Sequence, residues 1–546
     1  MTTNPSDLLV GKGFEISRRG FMGGLLGAGA LAMLPQQALA QAALQRGGTL
    51  ICALEADPPT LSTAAASDFI TLCMSGQLYP TLVIVDKDLQ PQPALAKSWT
   101  ISDDHLVYTF KLEEKAKWSD GTPLTSEDVR YTILDLKPKA DVIADASLAA
   151  IDKIETPDDH TVVITLKNAD PSFFPWALSL PNVSDIFPKH VFEGTVPRDN
   201  PAAFQPVSCG PFKFDSWDKG SAVTYVKDPD YFHADNVFID RIVYQVIPDP
   251  GARQLALERG DVDLIPYFAL SPSSADALAS NPDVQVIPAI RPQAGVIMML
   301  FNLRQEKLAN ADVRHAIAYA VDRKKIVDLA LNGRALPGTG PIRSDNKIFF
   351  NPEIELYAPN VDKANELLDK AGFAKGADGM RFSLRVMYEA AGAGGATQSA
   401  VEIMREELKL IGIDLNPLPT DTATWVDTAL QKWDFDLTIG SFPTGPDPRI
   451  GFSPRFLSSN IKPQAGANSG GYSNPDVDKL LNAADIEPDP AKRADLYKQA
   501  QKIIVDDLPV LWLWEAFYPI AARKGLVGVP PGCMQTEPFE NVGFTA

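Results

Sequence analysis

The chain has 546 residues, a formal net charge of −19, and 22% charged against 45% hydrophobic residues. That dispersed acidic balance argues against a nucleic-acid or anionic-membrane partner, both of which want a basic face. Four cysteines are too few for a disulfide scaffold, and a chain of this length is expected to divide into at least two hydrophobic cores.

The first predicted element is a leader. SRRGFMGG (17–24) places Arg18 and Arg19 before the apolar run LLGAGALAML, and Ala38-Leu39-Ala40 supplies a small-x-small cleavage site. That order reads as a twin-arginine signal peptide, cleaved near Ala40 and directing the chain to the periplasm. The apolar run falls short of the ~20 residues that a spanning helix needs. Residues 1–40 are set apart from the fold. They carry Lys12, Arg18 and Arg19 against Asp7 and Glu15, which leaves the remaining chain at about −20. Cys52, Cys73, Cys209 and Cys533 have no C-x-x-C spacing. In an oxidising compartment they are either bridged in one of three pairings or buried as free thiols.

GGTLICALEADPPTL (47–61) reads as a strand ending in a Pro-Pro turn. In LVYTFKL (106–112), Leu106, Tyr108, Phe110 and Leu112 alternate onto one face, as in a half-buried strand. KIETPDDHTVVITLK (153–167) repeats the pattern around a Pro157-Asp158-Asp159 turn, which predicts a hairpin. The region up to about residue 190 is therefore antiparallel-rich. The second half changes period. DVRHAIAYAVDRKKIVDLALNG (312–333) spaces Val313, Ile317 and Val321 on one helical face, with Gly333 as terminator. SAVEIMREELKLIGIDL (399–415) gives a helix, Gly412 and a strand. AKRADLYKQAQKIIVDDLPVLWLW (491–514) gives a helix, a proline stop and a strand with two tryptophans. Helix–glycine–strand order marks α/β layering. The pattern is two α/β bodies plus an antiparallel insertion.

The chemistry of an enzyme is not visible. The five histidines, His105, His160, His190, His233 and His315, show no i, i+4 pair and no metal-ligand spacing. G-x-S-x-G, Walker and dinucleotide motifs are missing, and GAGGA (392–396) lacks the strand–turn–helix context. Asp103-Asp104 and Asp506-Asp507 read as solvated turn residues. No catalytic residue, metal or cofactor is expected.

ALAKSWTISDDHLVYTFKLEEKAKWSDGTPLTSEDVRYTI (94–133) closely resembles the signature of the family 5 extracellular solute-binding proteins of ABC importers. GGTLICALEADPPTL resembles the family's first strand, SCGPFKFDSW (208–217) its T-G-P-Y/F loop, and KDPDYF (227–232) the stretch after it. FNLRQEKLANADVRHAIAYAVDR (301–323) and YSNPDVDKLLNAA (472–484) extend the likeness along nearly the whole chain. The resemblance implies an α/β periplasmic binding protein of two lobes joined by a two-strand hinge. Lobe I would hold 41–291 with an antiparallel insertion at about 81–190, lobe II 292–513, and residues 514–546 would return to lobe I. The hinge crossings are expected near RPQAGVIMMLFN (291–302) and LWLWEAFY (511–518). The signature, with Trp99 and Trp118, belongs to the insertion core.

A cleft between closing lobes draws its residues from strand ends and the loops after them. That selects Glu55 and Asp57, Tyr79, Cys209 and Gly210, Arg291, Asn302, Trp425, Phe442, Thr444, Gly445, Asp447, Arg449 and Trp514. Tryptophan or tyrosine beside polar groups suits a polar ligand that is stacked and hydrogen-bonded. Arg449 and Arg343 have the fork geometry for an anionic ligand, or for an ion pair within the protein.

The segment FDLTIGSFPTGPDPRIGF (435–452) bears most on the ligand. In peptide-binding members the equivalent stretch resembles F-D-x-x-x-x-x-W-x-A-D-Y-x-D-P, and its first A-D-Y aspartate takes the ligand's ammonium group. Here the aromatic falls on Phe442, and the A-D-Y positions read Thr444-Gly445-Pro446. Asp447 matches the later Asp-Pro. Stranding a buried ammonium without its carboxylate costs about 3–5 kcal/mol, so a site without a substitute from Asp447 or Glu55 is not tuned to free-amine peptides. The expectation is a monomeric binding component that captures a small peptide or peptide-like solute and hands it to a membrane permease. The alternative is a non-peptide polar solute such as an oligosaccharide or opine-type conjugate. A nickel chelate and a hydrolytic function rank behind these.

Overall fold

The computed structural model describes residues 44–546 apart from 67, 87–89, 288–294, 355–356, 391–395, 443–446, 465, 518, 531–537 and 546. The predicted leader and Cys533 lie outside the described residues. Cys52 and Cys209 are buried free thiols, and Cys73 is buried.

Among the described residues, sheet I has seven strands in the order Val284–Ile287, Ile520–Arg523, Leu264–Ile265, Thr49–Leu54, Arg241–Val246, Ala222–Lys227 and Phe212–Asp218. The first strand of the chain runs parallel to both its neighbours. A parallel strand is covered on both faces, and Leu50, Cys52, Ala53 and Leu54 are accordingly all buried.

Sheet II has six, in the order Ala335–Pro337, Val510–Ala516, Val296–Phe301, Leu437–Phe442, Phe382–Glu389 and Ile413–Thr420. VIMMLF (296–301) is apolar without alternation and every residue in it is buried, as a central strand under two layers requires. Phe382–Glu389 and Ile413–Thr420 are parallel and joined through helix Ala396–Leu410. Gly412 ends that crossover at φ +78°, where any side chain would be strained.

Each sheet has its own hydrophobic core. One continuous core collects residues from Val296 to Trp514, while the cores around sheet I draw only on residues before and after that stretch. We call the two bodies lobe I and lobe II. The chain crosses from sheet I to sheet II between Ile287 and Val296 and returns between Ala516 and Ile520.

The antiparallel sheet Ala96–Ile101, Val107–Leu112, Thr161–Leu166, Ile151–Asp158 forms no separate core. Tyr108, Phe110 and Leu112 share one cluster with Leu50 and Cys52 of sheet I, and Phe173 packs edge-on to Tyr108 at 5.5 Å. The sequence signature does structural duty here. Asp128 closes a capping box on helix Ser126–Tyr131 and accepts the Lys189 amide at 2.8 Å, with Trp118 buried beside it.

The single helix expected over 312–333 is two, Ala311–Ala320 and Arg323–Ala330. Asp322 breaks the run by leaving helical geometry and accepting the Lys325 amide at 3.0 Å. An N-cap competes with helix continuation, and apolar spacing alone does not register it.

Candidate functional site

The cleft of such a molecule lies where the two crossings join the sheets, so the first question is which groups stand at that boundary. Glu55 follows the first strand and is exposed. Asp57 accepts from the Trp217 indole Nε1 at 3.0 Å and the Gly220 amide at 3.1 Å, which ties the end of the first strand to the 212–227 hairpin. Trp217 stacks on Phe204 at 6.3 Å, and the Lys219 ammonium lies over both rings at 4.9 and 5.4 Å. Sequence reasoning missed this aromatic shelf. Its only sequence signal was a tryptophan in the loop-to-strand stretch SCGPFKFDSW.

Three lobe I candidates are buried within lobe I. Tyr79 is 1% exposed, with its ring 4.3 Å from Phe187, and burial raises the pKa of its phenol. The Cys209 and Gly210 amides both donate to the Leu78 carbonyl, at 2.9 and 2.8 Å. A Cβ on Gly210 would stand 2.4 Å from the Gln77 carbonyl oxygen, so glycine is needed there for close backbone approach.

Asn302 and Trp425 are likewise hydrogen-bonded within lobe II. Asn302 sits just past the end of Val296–Phe301 remote from the incoming crossing, and its Nδ2 donates to the Trp433 and Phe435 carbonyls at 3.0 and 2.9 Å. The Trp425 indole donates to Thr438 Oγ1 at 2.9 Å inside the lobe II core.

Trp514 is fully buried, as is Trp512. In a regular strand both rings would share a face. A bulge at Leu513 pairs Trp512 with Met298 and Trp514 with Ile297, so the rings go to opposite faces of sheet II. Each face is covered, and both indole N–H groups are buried without a hydrogen-bond partner among the described residues.

At the outgoing crossing the buried polar group is Glu515. Its carboxylate accepts from the Ser344 amide at 3.1 Å and hydroxyl at 2.7 Å, while burial raises its pKa. The neighbouring Arg343 pairs with Asp345 at 2.8 Å and donates to the Ala516 carbonyl at 2.9 Å. Arg343 therefore fastens the hinge strand.

The Pro/Gly segment ends strand Leu437–Phe442, and the Phe442 side chain is not described. Arg291, Thr444 and Gly445 lie outside the described residues. Asp447 is buried, paired with Arg493 at 2.5 and 2.7 Å, and caps helix Pro448–Gly451 by accepting the Arg449 amide at 3.0 Å. It is an anchor of lobe II rather than an ammonium receptor. Arg449 reaches out of lobe II and pairs with Asp170 of the insertion in lobe I. Of the predicted residues that are described, Glu55 is exposed and Arg449 reaches across to lobe I, while the rest are held by contacts within one lobe.

The family model for bacterial extracellular solute-binding proteins, family 5 Middle, matches residues 90–464. The probable D,D-dipeptide-binding periplasmic protein DdpA of Escherichia coli is 30% identical over 495 residues, 88% of this chain and 90% of its own. The ABC transporter substrate-binding protein CtaP of Listeria monocytogenes has a TM-score of 0.79 at 27% identity, covering 92% of this chain and 100% of its own. The binding protein AgaA of A. tumefaciens R10, solved with agropinic acid, has a TM-score of 0.73 at 28% identity, covering 91% and 99%.

Proposed function

The chain belongs to the bacterial extracellular solute-binding proteins, family 5, and from that premise we propose that it captures a small peptide or peptide-like solute between its lobes. It then delivers that solute to the permease of an ABC importer. The observation that carries this reading is the pair of independent cores joined by two crossings, the arrangement that lets two rigid bodies close on a ligand. Capture and release involve no covalent step. Residues 1–40 act as a twin-arginine leader removed near Ala40, and the exported chain works as a monomer in the periplasm.

The ligand is one whose amino terminus is not read by a carboxylate. Thr444-Gly445-Pro446 offers none, and Asp447 is committed to Arg493. A non-peptide solute of the opine type is the second reading, favoured by the same missing charge and by the likeness to AgaA. Phe442, Thr444, Gly445 and the crossing residue Arg291 are the contacts we assign to the ligand.

A thermal-shift and calorimetry panel of short peptides, their N-acetylated forms and opines tests the proposal. Binding that differs by less than about tenfold between a peptide and its N-acetyl form is expected. A preference for the free amine of about a hundredfold or more, the size of a buried charge pair, refutes the uncharged subsite. Binding of opines alone transfers the protein to the second reading.

A further inference from the structure

Strand direction decides which turns of one lobe open toward the other. In sheet I, Leu264–Ile265 and Val284–Ile287 run the same way, because both are antiparallel to Ile520–Arg523 between them. The chain leaves for lobe II after Ile287 and returns at Ile520, so the turn after Ile265 opens at that same end. It is a single helical turn, Tyr267–Ala269, with two adjacent aromatic residues. Their rings meet edge to face at 5.4 Å, and both are only partly buried, although Phe268 also packs against two hydrophobic clusters of lobe I. In sheet II the matching place belongs to Leu437–Phe442. That strand lies beside the crossing strand Val296–Phe301, with Phe442 opposite Val296.

The aromatic turn is held from behind. Arg253 is buried, and its Nε donates to the Ala269 carbonyl at 2.8 Å. Its Nη1 donates to the Ile247 and Pro248 carbonyls at 2.6 and 2.9 Å. One side chain thereby joins the two loops that flank the end of strand Thr49–Leu54, and burial lowers its pKa. A desolvated cation is costly, and here three carbonyls from two loops compensate it. Within the turn, the Ala269 amide donates to the Pro266 carbonyl at 3.0 Å, and Ser271 caps the helix that follows by accepting the Ser274 amide at 3.1 Å. The pair of rings is therefore preorganised, and a group that stacks on it does not first have to order the turn.

We propose that Tyr267 and Phe268 form the lobe I wall of a side-chain subsite that takes a large apolar or aromatic group of the solute, across from the strand end at Phe442. This rests on the reading of the protein as a binder of peptide or peptide-like solutes. Partly exposed rings at the lobe-facing end of a sheet gain from stacking and from burial when a solute covers them. Thr444-Gly445-Pro446 brings no charge to the opposite lobe. The two walls together select by shape and apolar surface more than by charge.

The test is calorimetry on the chain without its leader, using N-acetylated tripeptides that differ in one residue. Trialanine is compared with versions carrying leucine or phenylalanine at each position in turn. At one position phenylalanine is expected to bind about tenfold or more tighter than alanine. Tyr267→Ala and Phe268→Leu are each expected to remove most of that gain while moving the affinity for trialanine by less than about twofold. Phe268→Leu keeps an apolar side chain in the core, and the peptide series on the unmutated protein needs no variant at all. Peptides that bind with no preference for a large side chain overturn the subsite and leave the proposed function standing. A preference that survives both substitutions does the same. Binding of opines without any peptide overturns the peptide reading instead; the wall then stands if Tyr267→Ala weakens the opine about tenfold, and falls if it does not.

Discussion

Asp447 and Arg493 are each 4% exposed at the side chain, and the guanidinium also reaches the Tyr497 hydroxyl at 3.2 Å and the Ala484 carbonyl at 2.9 Å. Removing the carboxylate leaves a buried cation whose main partner has gone, a change that costs about 3–5 kcal/mol. Asp447→Ala is therefore expected to destabilise the unliganded protein by that amount, read as a lower urea midpoint for lobe II at an unchanged slope. A residue that served only a ligand would leave that midpoint where it was. The sequence offered no way to separate the two roles. Arg493 is far along the chain, and an aspartate before a proline in a cleft-lining segment has the same letters in either role. Gly210 teaches a similar lesson, since its reason for being glycine is a carbonyl on a neighbouring loop.

The C-terminal tail docks on lobe I through the buried Phe539 and Val542, backbone hydrogen bonds and one ionisable cluster. Glu540 accepts from the Tyr231 hydroxyl at 2.5 Å and pairs with His233 Nδ1 at 3.3 Å, while Glu113 lies 3.8 Å from the other ring nitrogen. The hydrogen bond to Glu540 raises the His233 pKa above its ordinary 6.5. For Glu540, burial pushes its pKa upward, but the hydrogen bonds from His233 and Tyr231 prevail and hold it below 4.5. A raised histidine favours the docked tail fully below 6.5 and loses that contribution as pH rises through its folded value. A depressed carboxylate contributes above 4.5 and loses it as pH falls through its own folded value. Docking should be tightest between these limits. Hydrogen exchange at the Asn541 and Thr545 amides, bonded to the Asn236 and Gly525 carbonyls at 2.7 and 2.8 Å, measures it. Protection corrected for intrinsic rate is expected to fall from about pH 6 toward about pH 9, and His233→Gln to flatten the change. A pH-independent profile in the unmutated protein removes His233 from the tie. Elements of this scale were the most legible in the sequence. The hairpin around Asp158 and the helix–Gly412–strand unit follow from local period and turn residues. The break at Asp322 did not, because a local polar cap leaves no mark on apolar spacing, nor did the bulge at Leu513, because a register shift is decided by the partner strand. The candidate site was less legible still, for polar atoms at strand ends bind whichever neighbour the fold supplies.

At the scale of the whole molecule the two lobes are built differently. Lobe II is one continuous stretch whose core runs from Val296 to Trp514. Lobe I is split, because Ile520–Arg523 inserts between Val284–Ile287 and Leu264–Ile265 and is antiparallel to both. Ile520, Ala521 and Ala522 of that strand are fully buried, so sheet I is incomplete until the last part of the chain has arrived. Closure by rigid bodies requires each lobe to keep its shape while the crossings bend, and separate cores supply that independence. Residues 295–516 are therefore expected to fold when expressed alone, with a cooperative melt and a near-ultraviolet dichroism signal from Trp425, Trp433, Trp512 and Trp514, all of which pack in that core. A chain ended at Ala516 should keep this signal while lobe I binds a hydrophobic dye, since two strands lose their shared partner and the apolar faces of Ile520, Ala521 and Ala522 are missing. Helical far-ultraviolet dichroism without the near-ultraviolet signal in the 295–516 fragment would mean that lobe II borrows its packing from lobe I. Closure would then be a repacking of one core instead of the docking of two.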